Sequence, residues 1–185
     1  MPGEDVGKPP ASRSRRIAVA SLFGVIVWVV QGFLPAPSSD YLIAVEACLL
    51  ALSNLVVGKG GATYVGAVSG LLISVVKTAF FPLDLVFALL FGLVVDGLGL
   101  ALHVKSGGEA KAGRLVAAMV VSTAAVGFSA YYVTAVATNL VPNDFFLDLS
   151  ILIFGVISGA IGGYVAARIW NKNLRARFES QALAR

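Results

Sequence analysis

Long runs of apolar residues, separated by short polar segments with glycine and proline, dominate the pattern along this chain. A helix needs roughly 20 mostly apolar residues to cross the hydrocarbon core of a bilayer. Six runs reach or approach that length, and the segments between them have the composition of turns. The pattern therefore predicts six transmembrane helices, over about 17–34, 41–57, 62–81, 83–102, 115–140 and 149–170.

The composition identifies the solvent that these runs face. Of the 185 residues, 58% are hydrophobic and only 13% are charged, and the mean hydropathy is +0.88. A soluble domain averages about 45–50% apolar and about 25% charged residues. We therefore predict an all-α integral membrane protein, with one transmembrane domain over residues 13–175.

Basic residues are sorted between the two ends of the predicted bundle. With six spans, thirteen of the fourteen lysines and arginines fall at the end that carries both termini, and only Lys77 falls at the other. Cytoplasmic loops of membrane proteins carry an excess of basic residues. The distribution predicts a multi-pass protein of the cell membrane with both termini in the cytoplasm.

The terminal segments are expected to lie outside the bundle. Residues 1–12, with two acids and three prolines, are predicted to be a disordered cytoplasmic tail, and residues 176–185 a cytoplasmic C-terminal tail. The first apolar run resembles a signal peptide in its basic start at 13–16. Its apolar stretch exceeds the about 7–15 residues of such peptides, so we assign it as a span.

Small residues recur at four-residue spacing in two of the predicted helices. Because lipid gives no hydrophobic reward for helix association, such stripes indicate close backbone contact between helices. The stripes are Gly155, Gly159 and Gly163 in the sixth helix, and Ala62, Gly66 and Gly70 in the third.

Apart from Arg168 at the inner end of the sixth run, four charged residues lie within the apolar runs or at their ends: Glu46, Lys77, Asp84 and Asp96. A charge in hydrocarbon costs on the order of 2.5–3.5 kcal/mol on insertion scales, so each is a functional candidate. Glu46 either lines a ligand site that opens outward or pairs with Lys77, whose long stem can also reach the interface. Asp84 is expected to cap the fourth helix, and Asp96 to bond to a neighbouring helix or a partner subunit.

Aromatic and polar residues accompany these charges in the outer half of the predicted bundle. An organic ligand is held by apolar and aromatic surfaces and by a few polar groups that fix its orientation, although an interfacial aromatic belt has a similar composition. The predicted ligand-binding residues are Glu46, Lys77, Trp28, Tyr41, Tyr131 and Asn139.

The sequence argues against several classes of function. The lone Cys48 has no partner for an intramolecular disulfide, and one cysteine with one histidine, His103, makes a poor ligand set for zinc. The segment 58–61 (GKGG) lacks the spacing and the trailing hydroxyl of a P-loop, and no HExxH, CxxC or nucleophile-elbow motif occurs. We expect no catalytic residues, no bound cofactor or metal, and no nucleic-acid partner.

The segment 58–72 (GKGGATYVGAVSGLL) resembles the start of the third helix in several S components, the substrate-binding subunits of energy-coupling factor (ECF) vitamin transporters. Six short spans, both termini inside and an outward polar and aromatic site extend the resemblance over residues 13–175. It implies an importer subunit that captures a vitamin or vitamin precursor from the extracytoplasmic side. A transmembrane coupling subunit and two ATPase subunits then drive its tilting in the membrane.

The resemblance also implies a docking face and a ligand class. In this family a stripe of small residues on the first helix docks on the coupling subunit, and the nearest match here is Ala20 and Gly24, with Ala18 nearby. Glu46 suits a cationic or amino-bearing ligand such as thiamine or its pyrimidine precursor, which we favour slightly. Lys77 suits a carboxylate or a phosphate.

Two alternatives belong to other classes of function. An oligomeric channel or permease for small solutes needs a polar path through the full depth of the membrane, and Asn54 and Asp96 leave that alternative open. The other is a membrane scaffold of the MreD-like kind, which transports nothing. An S component should co-purify with a coupling subunit and two ATPases, whereas a channel or a scaffold should not.

Overall fold

The structure, a computed structural model, describes residues 13–33, 42–77, 81–106, 108–133 and 145–176. Within these residues the chain forms six α-helices: α1 (Arg13–Phe33), α2 (Ile43–Val57), α3 (Gly61–Val76), α4 (Leu83–Ala101), α5 (Ala112–Tyr131) and α6 (Phe145–Ile169). Two short strands, β1 (Lys105–Ser106) and β2 (Glu109–Ala110), pair antiparallel between α4 and α5. A π-helical turn, Trp170–Leu174, follows α6. The predicted tail over 1–12 lies outside the described residues, as does nearly all of the predicted C-terminal tail.

Four of the six helices, α1, α4, α5 and α6, are long and apolar enough to cross a membrane. The other two, α2 and α3, are apolar helices of 15 and 16 residues. At a rise of about 1.5 Å per residue these two are shorter than a hydrocarbon core of about 30 Å. The apolar helices indicate a membrane-embedded, all-helical bundle, as the composition predicts.

The helix α2 is central in the bundle. It packs against α1, α3 and α6, while α3 lies along α1 and α4, α5 lies along α6, and α4 contacts α5. Seven of its fifteen residues are buried, among them Leu50 and Leu55. These two leucines join Val65, Val95 and Met119 in a single core to which all six helices contribute.

The predicted stripes of small residues lie at the closest helix contacts. A Cβ atom on Gly159 of α6 would lie 2.6 Å from the carbonyl oxygen of Met119 on α5. A Cβ atom on Gly70 of α3 would lie 2.9 Å from the Cβ atom of Ala88 on α4. Because neither gap admits a side chain, both helix pairs depend on glycine for their contact. The prediction of tight crossings is confirmed.

The turn between α2 and α3 requires its glycines. Gly58 and Gly60 have φ values of 88° and 84°, in the left-handed region that favours glycine. The N–H of Gly58 donates to the carbonyl oxygen of Asn54 at 2.9 Å. The chain reverses direction in three residues, and α3 begins at Gly61.

The segment predicted as a loop over 103–114 contains the β1–β2 hairpin, which is held against the end of α6. The indole Nε1 of Trp170 donates to the carbonyl oxygen of Gly108 at 3.1 Å. The side-chain amide of Asn171 donates to the carbonyl oxygen of Ala110 at 2.9 Å and accepts from its N–H at 3.0 Å. The Nζ atom of Lys105 lies 4.5 Å from the centroid of the Trp170 ring. These contacts tie the α4–α5 connection to α6.

Three helices begin several residues before their predicted bounds. The helix α1 begins at Arg13 instead of 17, α5 at Ala112 instead of 115, and α6 at Phe145 instead of 149. A hydrophobic run excludes Asp148, yet an acid in the first turn of a helix interacts favourably with the helix dipole. The predicted extension of the fifth span to 140 lies partly outside the described residues.

Candidate ligand-binding site

A cavity of about 390 Å³ lies at the end of the bundle opposite the hairpin. It forms where the C-terminal ends of α1, α3 and α5 meet the N-terminal ends of α2, α4 and α6. Its polar lining comes from Gln31, Glu46, Lys77, Asp84, Thr123 and Tyr131, and its ring surfaces include Phe87, Phe91 and Phe154. Apolar and aromatic walls with a few convergent polar groups are typical of a small-molecule site.

Glu46 lies in the first turn of α2 and lines the cavity. The side-chain amide of Gln31 on α1 donates a hydrogen bond to its Oε2 atom. Although Glu46 and Lys77 both belong to the described part of the chain, no ion pair joins them. The carboxylate is therefore hydrogen-bonded from the side of α1 and not paired with the ammonium of Lys77.

Lys77 and Asp84 face the same cavity from consecutive helices. Lys77 ends α3, where its N–H donates to the carbonyl oxygen of Ile73 at 2.7 Å, and its side chain makes no hydrogen bond among the described residues. Asp84 lies in the first turn of α4. A cation at a helix C-terminus and acids in first turns each interact favourably with the helix dipoles.

Asp84 has the expected position in the first turn of α4, where the helix dipole favours a carboxylate, but it makes no capping hydrogen bond. Pro82 occupies the N-cap position of α4, and no side chain caps that end. The Oδ2 atom of Asp84 is buried without a hydrogen-bond partner among the described residues. Because a buried polar oxygen is normally hydrogen-bonded, this one can accept a hydrogen bond from a group other than the described residues.

The other predicted ligand-binding residues differ in their position relative to the cavity. Tyr131 lines the cavity. Trp28 does not line it; its ring packs edge-on against Phe33, with 5.2 Å between the centroids. Tyr41 and Asn139 lie outside the described residues.

Two residues that line the cavity, Gln31 and Asp84, are not among the predicted ligand-binding residues. Gln31 carries an uncharged amide, and the prediction is based on charged and aromatic residues. Its signal in the sequence is a strongly polar residue near the outer end of an otherwise apolar run, three positions after Trp28. Asp84 is a functional candidate by its charge, but its position at the start of a helix favours a cap.

The predicted docking residues on α1 lie in different environments. Ala18 is exposed, whereas Ala20 and Gly24 are buried. A Cβ atom on Gly24 would lie 2.8 Å from the Cγ1 atom of Val68 on α3. In this structure, Gly24 thus provides contact between α1 and α3.

Asp96 lies at the opposite end of the bundle and is 6% exposed. It accepts hydrogen bonds from Asn54 Nδ2 at 2.6 Å, from the backbone N–H groups of Ala62 at 3.2 Å and Thr63 at 2.8 Å, and from Thr63 Oγ1 at 2.7 Å. The carboxylate thereby satisfies N–H groups that the first turn of α3 leaves without helical partners. Of the two roles expected for Asp96, the structure shows bonding to neighbouring helices.

The cavity presents two carboxylates, one ammonium and several rings, and it can therefore bind a small polar aromatic molecule. Among the described residues, no group of three histidine, cysteine, aspartate or glutamate side chains is placed to hold a metal ion. No protein-family model, curated protein or solved structure matches this chain.

Proposed function

We propose that this protein is the substrate-binding S component of an ECF-type ABC importer, which binds a vitamin or vitamin precursor. The observation that carries the proposal is the cavity at one end of the bundle, into which three helices bring Glu46, Lys77 and Asp84. Charges at such depth are costly unless they serve a ligand or a partner. The partners would be a transmembrane coupling subunit and two ATPase subunits.

In the proposed orientation all six helices span the cell membrane, both termini are cytoplasmic, and the cavity opens to the outside. Supporting this orientation is the concentration of lysine and arginine at the hairpin end, which the positive-inside rule assigns to the cytoplasm. The short helices α2 and α3 fit the same picture. Since the cavity lies at the outer end of both helices, the apolar depth that each must cover is reduced.

The proposed ligand is cationic or amino-bearing, with an aromatic ring, as in thiamine-like or pyrimidine-like molecules. Glu46 and Asp84 together outweigh the single positive charge of Lys77 in the lining. A cationic ring can also interact with the faces of Phe87 and Tyr131. An anionic group on the same ligand would be directed to Lys77.

A binding subunit accounts for the depth of the cavity better than a channel does. The lining ends at Phe91 and Thr123, near the middle of α4 and α5. Beyond that level the apolar core includes Leu50 and Val95, and Asp96 is enclosed by its four donors. A continuous polar path would have to pass through this core.

Native mass spectrometry of the detergent-purified protein tests whether a ligand is retained. We expect a bound species of vitamin-like mass that dissociates on collisional activation. Cells in which the gene is deleted should also fail to grow in medium where the vitamin is limiting. Repeated absence of any bound small molecule, with growth unaffected, would contradict the proposal.

Purification through a tag at the C-terminus tests the partners. The S-component proposal requires a coupling subunit and two ATPases in the eluate. A channel or an MreD-like scaffold would elute without ATPase subunits. Reconstitution with those subunits should give ATP-dependent uptake into vesicles.

A further inference from the structure

A second, open groove of about 380 Å³ lies at the hairpin end of the bundle, on the outside of α6. Its lining consists of Ala112, Tyr164, Ala167, Arg168, Asn171 and Lys172. Tyr164, Arg168 and Lys172 follow one another at four-residue spacing, so they form one stripe along the helix. No role in the proposed importer uses this stripe.

The wall of the groove is fixed by contacts within the protein. The side chain of Asn171 holds the backbone of Ala110 through two hydrogen bonds, and Ala112, two residues further on, is the first residue of α5. The first turn of α5 therefore sits beside the end of α6, and its N-terminal dipole adds positive potential to the groove. This position does not depend on an occupant.

The two cations of the groove have no partner among the described residues. Arg168 and Lys172 are exposed and make no hydrogen bond or ion pair with any described residue. Arg175, one turn further along, is by contrast paired with Glu109 of the hairpin. The charge of Arg175 is thus neutralised by Glu109, whereas the charges of Arg168 and Lys172 are available in the groove.

An exposed apolar track continues from the groove along the same face of α6. Ile157 and Ile161 are 51% and 52% exposed, and Tyr164, at 54%, follows them. Residues at this spacing are neighbours on a helix surface. The face therefore changes from apolar to aromatic to cationic over about four turns, in the order of acyl chain, interface and headgroup of a lipid.

We propose that this groove binds an anionic phospholipid, with its phosphate between Arg168 and Lys172. The acyl chains lie along Ile157 and Ile161, and Tyr164 lies at the level of the glycerol. Basic pockets between helices on the cytoplasmic side of membrane proteins favour anionic headgroups. A headgroup without a cation of its own leaves the phosphate with a net negative charge, which the two cations of the groove attract, whereas the ammonium of a zwitterionic headgroup cancels that charge and is repelled by them.

Lipid retention in native mass spectrometry tests this site. The protein is purified from nanodiscs that contain equal amounts of phosphatidylglycerol and phosphatidylcholine. The wild type should retain phosphatidylglycerol in clear excess, and Arg168→Gln combined with Lys172→Gln should reduce that retention about tenfold. Lys59→Gln removes an exposed cation from the same end of the bundle outside the groove and should leave retention unchanged.

The exchanged pair Arg168→Lys with Lys172→Arg preserves the charge and separates binding from folding. It should retain the lipid, and it should elute as a single species like the wild type. Inorganic phosphate at millimolar concentration should not displace the lipid, because the acyl chains supply part of the binding. Equal retention of the two lipids by the wild type, or full retention by the double glutamine variant, would overturn the proposal.

Discussion

Asp84 and Asp96 lie on the same helix in opposite environments. Asp96 accepts four hydrogen bonds, two of them from backbone N–H groups at the start of α3. Asp84 accepts none among the described residues and lines the cavity. A carboxylate whose hydrogen bonds are made within the protein stabilises the fold, whereas one without them is available to a ligand. We therefore assign a structural role to Asp96 and a place in the proposed ligand site to Asp84.

Replacing Asp96 by asparagine should destabilise the protein. In the variant, the NH₂ group of the asparagine faces donors that bond to a carboxylate oxygen in the wild type. The charge-assisted hydrogen bonds of the carboxylate are lost as well. We expect the free energy of unfolding to fall by about 2 kcal/mol. Thermal unfolding in detergent, followed by circular dichroism, measures the change. Asp84→Asn is the matched control on α4 and should alter stability little; equal losses would contradict the assignment.

Replacing Glu46 by glutamine should weaken binding of a cationic ligand. Gln31 can still hydrogen-bond to the new amide, so the cavity keeps its shape while it loses one negative charge. We expect the dissociation constant of the retained ligand to rise about 10–100-fold. Isothermal titration with the ligand identified by mass spectrometry measures this change.

The matched control is Asp148→Asn. Asp148 is also an acid in the first turn of a helix at the cavity end, but it does not line the cavity. The S-component proposal expects wild-type affinity for this variant. A loss equal to that of Glu46→Gln would mean that the overall charge at this end, and not contact in the cavity, governs binding.

At the scale of elements, the helix pairs α5–α6 and α3–α4 are joined by backbone contact at glycine. The predicted periodicity of small residues was sufficient to identify the contacting faces, because a stripe at four-residue spacing defines one side of a helix. It was not sufficient to identify the partners. Gly159 meets Met119 of α5 and Gly70 meets Ala88 of α4, which only the arrangement of the helices determines.

Replacing Gly159 by leucine should disrupt the α5–α6 contact. Its Cβ atom would lie 2.6 Å from a backbone carbonyl oxygen, which cannot move without shifting α5. We expect a loss of about 3 kcal/mol in stability, at the upper range for overpacking, measured as a lower unfolding temperature. Gly97→Leu is the control, because Gly97 is exposed on α4 with open space where a side chain would begin. Equal effects would indicate a loss of helix flexibility and not of contact.

At the scale of the molecule, the two ends of the bundle differ in chemistry. The hairpin end carries all the described basic residues except Lys77, together with a closed network around Asp96, whereas the opposite end carries the cavity. The positive-inside rule then predicts which end faces the cytoplasm. The direction of ligand capture depends on that orientation.

Labelling of engineered cysteines in intact cells tests the orientation. A cysteine at Lys111, which is exposed beside the hairpin, should react with a membrane-impermeant maleimide only after the membrane is opened. A cysteine at Phe145, which is 73% exposed at the cavity end, should react from outside. Cys48 is replaced by serine in both proteins. The reverse pattern would place the cavity on the cytoplasmic side and contradict capture from the medium.

The sequence by itself determined the helical membrane class, the approximate helix bounds and several residues that line the cavity. Composition and the length of apolar runs indicate directly the solvent that a helix faces. Because a charge is costly in lipid, the sequence alone identifies Glu46, Lys77 and Asp96 as functional or structural candidates. Tyr131 was identified in the same way, from its position among outer polar groups.

Only the tertiary structure decided which of these residues share a site. Hydrogen bonding and burial depend on neighbours from other helices, so Gln31 joined the cavity, Trp28 packed outside it, and Asp96 was enclosed by α2 and α3. The docked hairpin and the groove beside Arg168 were likewise absent from the predictions, because both arise where segments distant in sequence meet. Periodicity reports on one helix at a time, whereas a site is a property of several helices together.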